Sequence, residues 1–134
     1  MPDLEHARLI LRLDRDDLAA LEVMESSSRI SPSIFGFHAQ QAVEKSLKAW
    51  LSSLDIFYPR IHALDELFNL LEEHGATTID RFRHLQDLTP FAVQFRYEEF
   101  TITEANFNRS EVVRQVNELI DYIEGLIEEV EAAE

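Results

Sequence analysis

The residues of this chain whose types suit binding chemistry gather in one short stretch. Its only two lysines, Lys45 and Lys48, lie in the segment Phe35–Leu51 together with His38 and Gln41. A helix advances about 100° per residue, which sets His38, Gln41, Lys45, Lys48 and Ser52 along one arc. Phe35, Ala39, Ala42, Val43, Ser46, Leu47, Trp50 and Leu54 take the opposite arc, the one that faces a core. A stripe of side-chain donors carrying two ammonium groups suits a phosphate-bearing ligand. The competing reading is a solvated face on which Glu44 and Lys48 form an i,i+4 pair, worth about 0.2–0.5 kcal/mol.

Three residues outside that stretch join the candidates. His62 stands near the start of a helical segment, where a histidine either hydrogen-bonds locally or contributes a polar contact to a cleft. Arg96 follows the apolar run Phe91, Ala92, Val93 and Phe95. That places its guanidinium at a core edge, where it needs a carboxylate or a phosphate. Asp14 and Asp17 are the structural candidates, for instance as an Asp17–Arg96 pair. Tyr97 either stacks on a base or covers the end of a helical bundle.

Several other chemistries are excluded. There is no cysteine, hence no disulfide, thiolate metal site, Fe–S cluster or thiol nucleophile. None of the five His has a Glu three residues before it, the spacing used by di-iron helical bundles. Only Asp3, Glu5 and His6 approach it, so neither metal nor cofactor is expected. No glycine-rich phosphate loop, dinucleotide fingerprint or Gly-x-Ser-x-Gly elbow occurs. Twelve Lys plus Arg against 26 Asp plus Glu give a net charge of −14, which argues against a broad nucleic-acid or anionic-membrane surface. Arg29–Leu64 stands apart, net +2 from four cations and two acids, against −16 for the remainder. A local cationic site remains open, because charges farther than about 8 Å are screened at physiological salt.

The elements that must position these residues are helical. At 134 residues the chain is long enough for one domain with a core. Its 46% hydrophobic content with three Gly and four Pro reads as an ordered helical fold. Leu4, Ala7, Leu11, Leu18 and Leu21 predict a first helix from residue 3 to about 26, with Asp14 inside its apolar stripe. Ser31 or Ser33 caps a second helix running to about Leu54, with Pro32 in its first turn. Asp55–Arg60 is a connector, since Pro59 drives Tyr58 out of helical conformation. A short third helix runs from about Ile61 to His74 and stops at Gly75. Asp80 caps a fourth that carries Phe82, Leu85 and Leu88 and continues, kinked or divided at Pro90, through Phe91, Ala92 and Phe95. The last, from about Glu104, has a wide apolar face of Val112, Val116, Leu119, Ile123, Leu126 and Val130, flanked by Val113, Ile120 and Ile127. From Gln115 onward it holds seven acids and no cation, read as a solvated acidic face. The predicted fold is all-α, a single domain over 1–134: a five-helix antiparallel up-down bundle, four long helices plus a short one. No signal-like or membrane-spanning stretch appears, so a cytoplasmic location is expected.

The run Phe37-His38-Ala39-Gln40-Gln41-Ala42-Val43-Glu44-Lys45-Ser46-Leu47-Lys48-Ala49 closely resembles the signature helix of the HEPN family, the higher eukaryote and prokaryote nucleotide-binding domain. Asp17-Leu18 with Ala20 is similar to the Asp-Leu element of the family's first helix. Pro59-Arg60-Ile61-His62 with Leu64 and Leu67 is similar to the Pro-x-Thr-His-x-Leu entry to its third, and Arg96-Tyr97 to the Arg-Tyr pair ending its fourth. The chain departs from the family pattern at Ile61, Ala63 and Glu98. It also lacks the Arg and His separated by four to six residues that mark the family's ribonucleases. A metal-free ribonuclease needs a His as acid or base and a cation beside the scissile phosphate, and here that pair is not local.

The resemblance implies a non-catalytic protein that binds a nucleotide, ATP or GTP, or an RNA element. It further implies a partner or substrate-presenting subunit for a minimal nucleotidyltransferase, in a toxin–antitoxin-like module. The expected site combines His38, Gln41, Lys45 and Lys48 with His62, Arg96 and Tyr97, and contains no catalytic residue. The alternatives are a metal-independent endoribonuclease toxin, with Arg96 beside a spatially adjacent His, and a ligand-free helical interaction module. A homodimer is expected, formed through a leftover apolar stripe.

Overall fold

In a computed structural model, residues 3–92 and 108–133 are described. Helix α1 spans Leu4–Met24, and the Asp3 carboxylate caps it by accepting from the His6 amide at 3.0 Å. Ala7, Leu11, Leu18 and Leu21 are buried along its stripe together with Asp14. Helix α2, Pro32–Ser53, starts as its sequence predicts: Ser31 Oγ accepts from the Ile34 amide at 3.2 Å, and Pro32 stands in the first turn. Its apolar arc, from Phe35 through Trp50, is buried.

Two side chains at the end of α2 are placed otherwise than the periodicity predicts. Leu54 is 40% exposed, whereas Ser52 of the polar stripe is buried. Leu54 has already left helical geometry (φ −99°, ψ 4°), so the helical arc no longer applies to it. Ser52 is covered by the start of α1, where the Asp3 amide donates to the Ser52 carbonyl at 3.3 Å. Asp55 then takes a left-handed conformation, φ +59°. Its amide donates to the Ser52 carbonyl at 3.1 Å, and that of Ile56 to the Leu51 carbonyl at 2.9 Å. This is the Schellman closure of a helix, with aspartate in the place glycine usually takes.

Helix α3 is Leu64–Glu73, three residues shorter at its start than predicted from Ile61. Ala63 is extended and offers no side-chain cap. The first-turn amide of Leu64 instead donates to Thr89 Oγ1 at 3.1 Å, a cap from a remote segment. Gly75, φ +84°, ends α3 in a second Schellman turn, with Ala76 N donating to Leu71 O at 3.0 Å.

The predicted fourth helix is different. Two 3-10 segments, Ile79–Arg81 and Arg83–Leu88, occupy its first part. Thr78, left-handed at φ +66°, precedes them, and Asp80 makes no cap. Phe82, Leu85 and Leu88 are buried at a spacing of three, the 3-10 period, in which they eclipse one another. Phe91 and Ala92, just past Pro90, are helical, with Phe91 buried; the continuation through Phe95 and the expected start of the last helix near Glu104 lie outside the described residues. Helix α4 is Arg109–Ala133, capped by Asn108 Oδ1 on the Glu111 amide at 3.0 Å.

One core cluster joins all these elements. Trp50 of α2 meets Tyr122 of α4 edge-on with ring centroids 5.4 Å apart, and Phe82 lies 5.6 Å from the same ring. The acids of α4 are not simply solvated: Arg8 of α1 pairs with Glu131, and Arg15 with Asp121 and Glu124. Among the described residues no strand occurs, and no helix is long and apolar enough to cross a membrane.

Gly36 makes a close approach possible, since a Cβ built there would lie 2.3 Å from the Phe91 ring. Gly36→Ala should therefore destabilise the fold by about 1–3 kcal/mol, overpacking outweighing the gain in helix propensity. Gly125→Ala on α4, where nothing lies within 4 Å, should stabilise by about 0.5–1 kcal/mol. Urea unfolding of the two variants checks both signs.

Candidate functional site

The polar arc of α2 is organised around a carboxylate that its sequence hides. Glu44 is only 6% exposed. Gln40 Nε2 donates to Glu44 Oε1 at 3.0 Å, Lys48 Nζ to Oε2 at 3.0 Å, and His62 Nδ1 lies 3.2 Å from Oε1. Gln40 Nε2 also reaches the His62 carbonyl at 3.1 Å, and Gln41 Nε2 donates to Gln40 Oε1 at 2.7 Å. Gln40, Glu44 and Lys48 recur at i,i+4 steps, so one edge of the helix faces the connector before α3. The Glu44–Lys48 pair expected in solvent is thus formed, with its carboxylate withdrawn from water.

Three candidate residues come together here, Gln41, Lys48 and His62, and Lys45 shares their helix face. His38 joins none of these bonds and rests against the Phe37 ring, centroids 5.4 Å apart. Arg96 and Tyr97 lie outside the described residues. Lys45 Nζ donates to Asp17 Oδ2 of α1 at 2.5 Å, so Asp17, considered above as a partner for Arg96, has a lysine partner on α2. Lys48 Nζ also lies 5.8 Å from the centroid of the Tyr58 ring. Both ammonium groups are anchored, each with hydrogen-bonding capacity left over from its three donors. Gln40 and Glu44 are the residues that periodicity alone did not single out. The available signal was their shared i,i+4 step with Lys48.

One turn deeper lies Asp14, fully buried on α1. Ser46 Oγ is bonded to Asp14 Oδ2 and stands 2.9 Å from the Ala42 carbonyl. A single hydroxyl proton cannot serve both acceptors. With Asp14 protonated, its O–H donates to Ser46 Oγ while Ser46 donates to Ala42. Burial pushes the Asp14 carboxyl up to about 8, against the opposing pull of Ser46. Among the described residues Asp14 Oδ1 has no partner, a further cost for the charged form. Among the described residues no group of three or more His, Asp or Glu is placed to hold a metal ion.

The raised carboxyl has a definite pH signature. Between the ordinary value of 3.8 and about 8 the folded chain keeps a proton that the unfolded chain has lost. Folding therefore takes up a proton, and stability falls as pH rises through that window. Asp14→Asn should flatten the fall and raise the urea midpoint at pH 8.5, as denaturation series from pH 5 to 9 can show. A parent protein whose stability is flat or rising across that range contradicts the assignment.

No curated protein and no solved structure matches the chain. A family model does: the HEPN domain, matched over residues 7–133. The match includes nearly all of α1, the whole α2 arc with its Glu44 network, the connector and all of α4. The chain belongs to the HEPN domain family.

Proposed function

We propose that this chain is a non-catalytic HEPN protein that binds a nucleotide, ATP or GTP, or an RNA element, and acts as partner or substrate-presenting subunit for a minimal nucleotidyltransferase in a toxin–antitoxin-like module. The observation that carries the reading is the array on α2: the chain's only two lysines, held on one helix face with Gln41 beside them and His62 across from them. A phosphate approaching that face meets ammonium groups already fixed in direction, so little side-chain entropy is lost on binding. Asp17 and Glu44 offset much of the cationic charge, so the affinity is modest. An acidic remainder of the chain discourages long polyanions more than a small nucleotide. Family membership supports the link to nucleotide or RNA chemistry, and the missing local Arg–His spacing supports a binding role over a ribonuclease.

The same reading has the chain as one domain in an antiparallel up-down bundle. The reversed order of its contacts supports this: Asp3 lies by Ser52 and Asp17 by Lys45, Arg8 by Glu131 and Arg15 by Asp121. It also has the chain as a homodimer, supported by Leu9, Leu13 and Val23 exposed along α1.

Titration calorimetry with ATP and GTP should show weak binding that Lys45→Ala with Lys48→Ala abolishes. No heat at millimolar nucleotide overturns the reading, and growth arrest on expression of the chain alone, relieved by His62→Ala, favours the ribonuclease instead. Light scattering should give a dimer that Leu9→Glu with Leu13→Glu splits; a monomeric parent protein removes that part.

A further inference from the structure

The Schellman turn that closes α2 does more than end a helix. By holding Asp55 left-handed and burying Ile56, it sends the next residues out along the surface in alternation. Phe57 is 87% exposed, while Tyr58 turns back and is half-buried. Tyr58 is fixed from two sides: its hydroxyl lies 3.4 Å from His6 Nε2, and its ring lies beside Lys48 Nζ. Pro59 stiffens the next step, and Arg60 follows, exposed. Unlike Lys45 and Lys48, Arg60 has no hydrogen bond or ion pair among the described residues. Arg29 and Arg60 are the open guanidinium groups of the net-positive segment, and Arg60 is the one that stands three residues from an outward aromatic ring.

A nucleotide presents two things to a protein, a flat base face and a phosphate. Proteins that hold single-stranded nucleic acid meet the first with exposed aromatic rings and the second with Arg or Lys. We propose that Phe57 is the base-stacking platform and Arg60 the phosphate contact of the nucleotide site, with Tyr58 and Lys48 forming its inner wall. The ligand unit is one nucleotide, presented either free or within single-stranded RNA. The recess under Phe57 is lined in part by Asp3, His6, Asp55 and Tyr58. Its two carboxylates turn a phosphate away from the recess and toward Arg60, and they offer acceptors to ribose hydroxyls or a base amino group. Asp3 Oδ1 already accepts from the His6 amide. This assignment rests on the nucleotide-binding reading above and adds, beside the anchored lysines, an open cationic contact on the connector.

The test compares the parent protein with Phe57→Ala, Phe57→Trp and Arg60→Ala, each titrated by calorimetry with ATP, GTP and a short single-stranded RNA. Phe57 makes no packing contact that folding needs, and circular dichroism of each variant checks this. Phe57→Ala should weaken binding about tenfold, Phe57→Trp should keep or tighten it, and Arg60→Ala should weaken it and flatten its salt dependence. Loss confined to the RNA identifies a strand as the source of the nucleotide unit, and loss confined to ATP or GTP identifies the free nucleotide; either supports the proposal. Phe57→Ala binding as tightly as the parent overturns it and leaves the nucleotide reading standing. Unchanged nucleotide affinity with a changed mass in light scattering also overturns it, in favour of Phe57 as a protein contact. No binding by the parent protein overturns the underlying reading itself.

Discussion

A carboxylate withdrawn from water must be compensated, and Glu44 is compensated by three different parts of the chain. Gln40 and Lys48 reach it from the turns on either side, and His62 from the connector. Removing one partner from such a group leaves charge buried without its counterpart, a cost of about 3–5 kcal/mol for a fully buried pair. The network fixes two things at once. It holds His62 against α2, just before the extended Ala63 and the start of α3 at Leu64, and it sets the direction of the Lys48 ammonium. Phe57 and Arg60 stay exposed on the connector between the Schellman turn at Asp55 and that anchor.

Charge is partitioned along the same lines. The lysines of α2 are matched to Asp17 and Glu44, and Arg8 and Arg15 of α1 reach across to the acids of α4. The exposed pairs among these, Arg8–Glu131 and Arg15–Glu124, add little stability, typically about 0.2–1 kcal/mol each. Their effect on the field is larger. By its own residues the segment from Arg29 to Leu64 is net positive in an otherwise strongly acidic chain, and pairing of Lys45 with Asp17 from outside it tempers that charge. Asp14 adds a second compensated carboxyl at the α1–α2 contact, held neutral by burial rather than by a cation.

Much of the architecture is legible in residue spacing because it depends on local rules. Ser31 with Pro32, Gly75 with its left-handed turn, and the alternating threes and fours of α4 act within a few residues of themselves. What was not legible depends on distant partners. The cap of α3 comes from Thr89, 25 residues away, and no pattern near Ala63 could supply it. The segment from Ile79 to Leu88 looked helical because its apolar steps are regular. Steps of three throughout, without a four, are the 3-10 signature that separates it from α4. At the candidate site, Lys45, Lys48, Gln41 and His62 were legible as donors and Glu44–Lys48 as an i,i+4 pair, but not that Glu44 would be buried or that Asp17 would hold Lys45. The tertiary approach of α1 and the connector decides which face of α2 keeps contact with water, and a helical wheel contains neither.

Family membership gives a helical domain with a link to nucleotide or RNA chemistry, and the site proposed for that chemistry is one edge of α2 and the connector after it. The most direct measurement is a nitrogen–proton chemical-shift titration of the labelled protein with ATP and with a short RNA. The account predicts saturable shifts concentrated in residues 41–48 and 57–62. Shifts gathered instead at the opposite end of the bundle, around residues 25–30 and 108–110, or no shifts at millimolar ligand, contradict it.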